Sequence, residues 1–318
     1  MNEMKKLSFS ENVFSITAGE NCQVYRTRDD SGEGVMTLYK VFEGVYLMYN
    51  DFHMQSCRAK VIANTELFCI DHCREGSLEH IVAKGGYSYL KAGDLRIDDR
   101  SNDCNTDCVL PLSHYHGITI AFFLDTAPKS LSDCFSGFPV DLKKLKHKYC
   151  RQKTSFVIRR EPSVEHIFTE LYDVPEKTRT YYFKIKIFEL LLYLDALVIP
   201  EHTDIRPYFY KTQVEKVKAI HAHMTNNLEH HFTLEDLSKR FDISLTPMKT
   251  CFKGVYGTSV YAYMRSYRMS HAAVLLRTTK KSVAQIAGEV GYSSPSKFSV
   301  AFKDIIGSSP LEYRKSLV

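Results

Sequence analysis

The sequence predicts an α+β chain, with a β-barrel or sandwich at the front, a helical segment behind it, and an all-α domain at the C-terminal end. Three observations carry that prediction. Residues 35–126 form short runs that alternate apolar and polar positions between turn signals. From about residue 139 the apolar spacing changes to that of helices. One fourteen-residue phrase is written twice, as CFKGVYGTSVYAYM at 251–264 and as AFKDIIGSSPLEYR at 301–314.

The length of 318 residues exceeds what a single core usually organises. The expected division is a β domain over 1–135, a helical segment over 136–200, a linker over 201–212 and a helical domain over 213–318. No run of about 18 apolar residues occurs; the longest, IFELLLYLDALVI, is interrupted by Glu189 and Asp195. No membrane span is expected. The opening MNEMKKLSFSENVFS lacks the apolar core of a secretory signal, and nine scattered cysteines fit reduced thiols, so the cytoplasm is the expected compartment. Charge is uneven: residues 212–318 carry a net +7 and residues 1–211 a net −2. A basic C-terminal third on a nearly neutral remainder is the asymmetry expected of a domain that meets a polyanion.

In the front region the predicted strands lie in VMTLYKVFEGVYLMYN, ELFCIDHCREG, SLEHIVAKGGYSYLKAGDLRIDD and GITIAFFL, with turns at Gly85-Gly86 and at 91–94. Tyr87 and Tyr89, then Leu95 and Ile97, keep the period of two. A helix is predicted over VEHIFTELYDV behind the start signal Pro162-Ser163, and a second over TRTYYFKIKIFELLLYLDALVI, ending at Pro200. The second reads as core, with a dimer seam as its other reading. PEHTDIRPYFYK, twice broken by proline, reads as the linker.

Beyond residue 213 the duplication is longer than the quoted phrase, since TLEDLSKRFDIS at 233–244 parallels SVAQIAGEVGYS at 282–293. Thr233 and Ser282 are placed to N-cap a short helix. Leu237 or Ile286 follows, then a tight turn at Asp242 or Gly291, then a second helix capped by Ser244 or by Ser293/Ser294. Gly257 and Gly307 end the second helices. These are two helix-turn-helix units. Between them SVYAYMRSYRMSHAAVLLRTT reads as one helix, about 28 Å long for about 19 residues. A rod of that length can hold two readers about one turn of B-DNA apart, roughly 34 Å, each offering a helix to successive major grooves. Phe252, Phe302, Ile286, Leu237, Tyr263 and Tyr313 are read as core and assigned no contact.

The run IAGEVGYSSPSKFSVAFKDIIGSSPLEYR, residues 286–314, sets Ile286-Ala287, Gly291-Tyr292, Phe298, Phe302-Lys303, Gly307, Pro310 and Tyr313-Arg314 at a characteristic spacing. With it, residues 213–318 closely resemble the DNA-binding module of the AraC/XylS transcriptional regulators. The front, with GYSYLKAGDLRI and PLSHYHGITIAFFLD, resembles the cupin-like effector domain of regulators similar to the pyochelin regulator. The resemblance implies a sequence-specific transcriptional regulator that is not an enzyme. Its partners would be a double-stranded DNA operator, RNA polymerase, an unidentified small-molecule effector and a second copy of the chain, with no cofactor and no metal.

It also implies which residues face DNA. Thr246, Lys249 and Thr250 in the first unit, and Ser296, Lys297 and Val300 in the second, would meet base edges. Lysine suits guanine O6 and N7, threonine and serine donate or accept, and Val300 offers only apolar contact, for example with a thymine methyl. Some family members carry Arg or Gln at the positions of Lys249 and Val300, and this chain departs there. Thr233, Ser282, Lys253, Lys303, Arg265 and Arg268 would meet phosphates, which position without specifying sequence. Tyr87, Tyr89, His114 and His116 are the effector candidates.

Three other readings are open. Cys104 with Cys108, Cys69 with Cys73, and His114 with His116 have spacings that could hold zinc or sense redox state, but His-x-His is not followed by a glutamate and later histidine, and no CxxC pair occurs. A metal-dependent cupin enzyme, or a DNA-repair protein carrying the same module, is the alternative class. A front domain that only dimerises is the third.

Overall fold

The computed structural model describes residues 13–19, 21–57, 66–82, 86–101, 108–150, 155–199 and 209–315. Gly85, Cys104 and linker residues 201–208 lie outside the described residues. The chain divides into two compact units, one running to residue 208 and one starting at 209.

The first unit is a curled antiparallel sheet backed by helices. Its strands are β1 Val13–Ala18, β2 Cys22–Asp29, β3 Gly32–Phe42, β4 Val45–His53, β5 Ser56–Cys57, β6 Leu67–Val82, β7 Gly86–Lys91, β8 Leu95–Asp99, β9 Cys108–Val109, β10 Tyr115–Phe123 and β11 Phe156–Ile158. The spatial order is β1-β2-β3-β4-β10-β6-β7, with β8 on β6, β11 on β8, and β9 bridging β5 and β6. The long β6 produces the curl. Residues 67–76 pair with β10 and 68–72 with β8, whereas 77–82 pair with β7. The change falls at Gly76, whose φ is 82°. A Cβ there would lie 2.1 Å from the His114 carbonyl oxygen, so the bend needs glycine.

Alternation along each strand gives the sheet two faces. Val45, Leu47, Phe68, Ile70, Leu95, Ile97, Ile118, Ile120 and Phe122 point to the helices α1 Ala127–Cys134, α2 Leu142–Tyr149, α3 Pro162–Tyr172 and α4 Arg179–Ala196. These supply Leu131, Leu145, Phe168, Leu171, Phe183, Leu190 and Leu194 to the same core. Each such burial stabilises by about 1.5–3 kcal/mol. The other, inner face carries Met36, Phe52, Cys73, Leu78, Leu90 and Tyr115. Residues 13–29 add two strands ahead of the expected first one, and β11 joins the sheet inside a segment that reads as helical. Three residues are too few to show a period, and only pairing with β8 makes them a strand.

The second unit is helical: α5 Lys211–Thr225, α6 Leu234–Arg240, α7 Leu245–Tyr256, α8 Val260–Thr278, α9 Val283–Glu289, α10 Pro295–Ile306 and α11 Pro310–Lys315. α5, α6 and α7 pack together with α8, and α9, α10 and α11 pack against the other end of α8. The second cluster has Met269, Ala272, Leu276, Ile286, Val290, Phe298 and Phe302 at its centre.

Candidate nucleic-acid interface

Each half of the second unit builds the same object from the same kinds of residue. Thr233 opens α6, its hydroxyl accepting from the Asp236 N–H at 3.1 Å. Leu237 packs inward, and the chain turns at Asp242 with φ 47°. Lys216 of α5 donates to the Asp242 carbonyl and lies 3.0 Å from its carboxylate, tying down the strained turn. α7 then buries Met248, Cys251, Phe252 and Val255 and leaves Thr246, Lys249, Thr250 and Lys253 exposed. Pro247 stands in the first turn of α7, where its missing N–H breaks no helical bond.

In the second half Ser282 and Gln285 cap reciprocally. The Ser282 hydroxyl accepts from the Gln285 N–H at 3.2 Å while the Gln285 amide oxygen accepts from the Ser282 N–H at 2.8 Å. The turn is made by Gly291, φ 81°. Ser294 caps α10 by accepting from the Lys297 N–H at 3.4 Å, and Pro295 fills the first helical position. α10 buries Phe298, Ala301 and Phe302 and exposes Ser296, Lys297, Val300 and Lys303. Both second helices end on glycines in the left-handed region, Gly257 and Gly307.

All six expected base-edge residues therefore lie on the solvent side of α7 or α10. Val300 is 71% exposed, unusually open for an apolar side chain. Among the expected phosphate contacts, Lys253 and Lys303 are exposed on the same two helices, and Thr233 and Ser282 are exposed with their hydroxyls committed to capping. Arg265 is half-buried and reaches from α8 to Asp304 on α10 at 2.7 Å.

Arg268 corrects the sequence reading. It is only 8% exposed, and its guanidinium is spent inside the unit: Nε donates to the Leu228 carbonyl at 3.1 Å, Nη2 to the His230 carbonyl at 2.7 Å, and Nη1 meets His231 Nδ1 at 3.3 Å. Burial pulls its pKa below the usual arginine value. With three of its five N–H donors engaged inside the unit and the group buried, Arg268 does not face a phosphate.

The effector candidates also sit differently from expectation. The inner face of the sheet encloses a cavity of about 90 Å³, with apolar walls from Met36, Met48, Phe52, Leu78 and Leu110 and a polar floor of Asn50, Asp71, Arg96, Arg100 and Thr119. Tyr115 lines it; His114 and His116, one position either side in the period of two, do not. His116 instead packs edge-on against Tyr172 of α3, centroids 5.4 Å apart, and His114 Nδ1 lies 3.2 Å from the Leu112 carbonyl. Tyr89 is buried, donating to Glu79 at 2.7 Å, and neither it nor Tyr87 lines the cavity.

The floor is an ion cluster. Arg96 donates to Asp71 through Nε at 2.9 Å and Nη2 at 2.7 Å, Arg100 donates to the same oxygen, and Thr119 donates to its other oxygen at 2.8 Å. Burial pushes the Asp71 carboxyl up, but Arg100 and Arg96 outweigh it and hold the group below the usual carboxylate range. Asp71 and Arg96 stand at the polar beats of strands whose other beats are core, a pattern that by itself points them to solvent, and it is the packed structure that buries them. Cys69 and Cys73 are buried on the inner face, and burial pushes the Cys69 thiol up to about 12, away from reactive thiolate. No helix among the described residues is long and apolar enough to cross a membrane.

With this geometry in view, the comparisons with known proteins are specific. Residues 237–316 match the family described as a helix-turn-helix domain, and the second unit is an AraC-type helix-turn-helix DNA-binding domain. The chain is similar to the transcriptional activator RhaR of Mannheimia succiniciproducens, 25% identical over 127 residues, which are 40% of this chain and 46% of that one. It is similar to the putative transcriptional regulator YkgA of Escherichia coli, 35% identical over 88 residues, 28% of this chain and 37% of that one. The chain thus spans less than half the length of these relatives. The solved C-terminal domain of AraT, a response regulator of Geobacillus stearothermophilus, is 29% identical, covers 32% of this chain and 84% of its own, and has a TM-score of 0.31.

Proposed function

We propose that this chain is an effector-responsive, sequence-specific DNA-binding transcription regulator of the cytoplasm, and not an enzyme. The single observation that carries the reading is the pair of bihelical readers, each with an exposed polar helix face, joined by the one 19-residue helix α8. α7 and α10 enter successive major grooves of an operator. Thr246, Lys249, Thr250, Ser296, Lys297 and Val300 read base edges, while Lys253, Lys303, Arg265 and the starts of α6 and α9 at Thr233 and Ser282 hold the backbone. The basic balance of residues 212–318 supplies the sequence-independent part of the affinity.

The first unit is the effector domain, and its ligand occupies the inner cavity instead of the histidines first assigned to it. A small molecule that prefers one arrangement of the sheet shifts the fraction of molecules presenting both readers, and so alters contact with RNA polymerase. A second copy of the chain pairs along α4, where Tyr181, Ile185 and Leu192 stand exposed at spacings of four and seven residues.

Footprinting on fragments selected by the purified full chain tests the core of this reading. Two protected major-groove segments one helical turn apart are expected, and protection of a single segment overturns it. For the effector, a metabolite that raises the melting temperature of the wild type but not of Asn50→Leu supports the cavity as its site. Equal stabilisation of both proteins refutes that placement.

A further inference from the structure

The chemistry around Arg268 points beyond packing. The three groups that receive its guanidinium come from the loop between α5 and α6, which belongs to the first half of the unit. His231 in that loop reaches onward, its Nε2 lying 2.5 Å from the carbonyl oxygen of Gly291, the turn residue of the second half. With its proton on Nε2, the His231 ring donates to Gly291 and presents the Nδ1 lone pair to Arg268, so one tautomer serves both contacts. Gly291 is itself pressed against the same loop: a Cβ there would lie 2.6 Å from the Leu228 carbonyl oxygen and 3.4 Å from Arg268 Cζ. One guanidinium, at the middle of the strut, therefore fastens the first reader's loop and, through one imidazole, the second reader's turn. An apolar residue could fill the volume, but only a forked cation can hold several acceptors on a neighbouring segment at once.

We propose that Arg268, acting through His231, is a positioning residue that fixes the rotational register between the two readers, and thereby sets the spacing between the two half-sites that the protein accepts on DNA. Besides the clamp, α8 and the surface pair Arg265–Asp304 join the two halves. One added base pair rotates the second half-site by about 35° and moves it by about 3.4 Å. A rigid pair of readers cannot follow that change, and a loosened pair can.

The inference rests on the DNA-binding reading above, and its test separates the two. Full-length wild type first selects duplexes from a randomised 40-base-pair library. The recovered bipartite site is then remade with its spacer lengthened or shortened by one base pair, and also with its second half-site scrambled. Wild type is expected to prefer the selected spacing by at least about tenfold. Arg268→Met should reduce that preference to about threefold or less, with binding to the scrambled single-site duplex changed by less than about twofold. His231→Phe, at an exposed position and so less costly to folding, should fall between the two, and it decides the matter if Arg268→Met does not fold. Folded variants that keep the wild-type spacing preference overturn the clamp and leave the DNA reading intact. A wild type that selects no bipartite site overturns both.

Discussion

The turn between α6 and α7 is made by Asp242, fully exposed and tied to Lys216, whereas the turn between α9 and α10 is made by Gly291, pressed against the carbonyls of Leu228 and Glu229. Both positions need positive φ. The first faces water, so a side chain that tolerates the left-handed region suffices and can be held by a lysine. The second faces another segment of the same unit, so no side chain fits. A repeated sequence thus yields two non-equivalent readers: the second is the one docked to the rest of the unit, and its turn carries the constraint.

The largest test of that difference exchanges the demands. Gly291→Ala should cost about 2–3 kcal/mol, from backbone strain and a blocked approach, measured by denaturant unfolding. Asp242→Gly should change stability by less than about 0.5 kcal/mol, since relief of strain offsets the lost ion pair and the added chain freedom. Equal effects at the two turns would remove the asymmetry.

On the DNA side, Lys249→Ala should cost about 1–3 kcal/mol at one base position in a mutated-operator panel and little elsewhere. Lys253→Ala, one turn further along α7, should weaken every sequence alike and reduce the salt slope by about 1. Indistinguishable profiles would undo the assignment of reading and holding roles. In the second reader Val300→Ala should alter preference only at a thymine, because a valine offers no hydrogen bond.

Smaller still are the caps. Ser294 accepts from the Lys297 N–H, whereas the Ser244 side chain makes no capping bond. Ser294→Ala should therefore lower the melting free energy by about 1 kcal/mol and Ser244→Ala by much less. The response to acid comes from one buried ring. His221 stacks on Tyr256 at 4.4 Å, and burial lowers its pKa from 6.5 to about 4. Above pH 6.5 it is neutral folded and unfolded, and its contribution is complete. As pH falls from 6.5 toward 4 the unfolded chain takes up a proton that the folded chain refuses, so stability drops across that window. α9–α11 contain no histidine. Amide protection, corrected for the intrinsic exchange rate at each pH, should therefore fall on acidification in α5 and α7 before α10, and His221→Phe should blunt the effect.

Much of the second unit was legible because its signals are local. Caps act over three residues, left-handed turns fall on Asp242 or on glycine, and inward-facing positions recur at helical spacing, so the exposed face of α7 and α10 follows from the sequence once the helix starts are placed. The front unit was legible in its strands and turns but not in its site. His114 and His116 attract attention as titratable pairs, yet the concavity of the sheet lies on the side of Tyr115 and Thr119. Which parity faces inward depends on how β6 bends and which strands it pairs with at each end.

By itself the sequence determined the duplication, the length of α8, and the two faces of each reader, because hydrogen bonds and steric limits within a few residues dictate them. Only the tertiary structure decided that Arg268 turns inward and that Asp71 and Arg96 meet beneath a cavity. Those outcomes join groups 40 and 25 positions apart, and the desolvation cost that makes them matter exists only once the segments have packed.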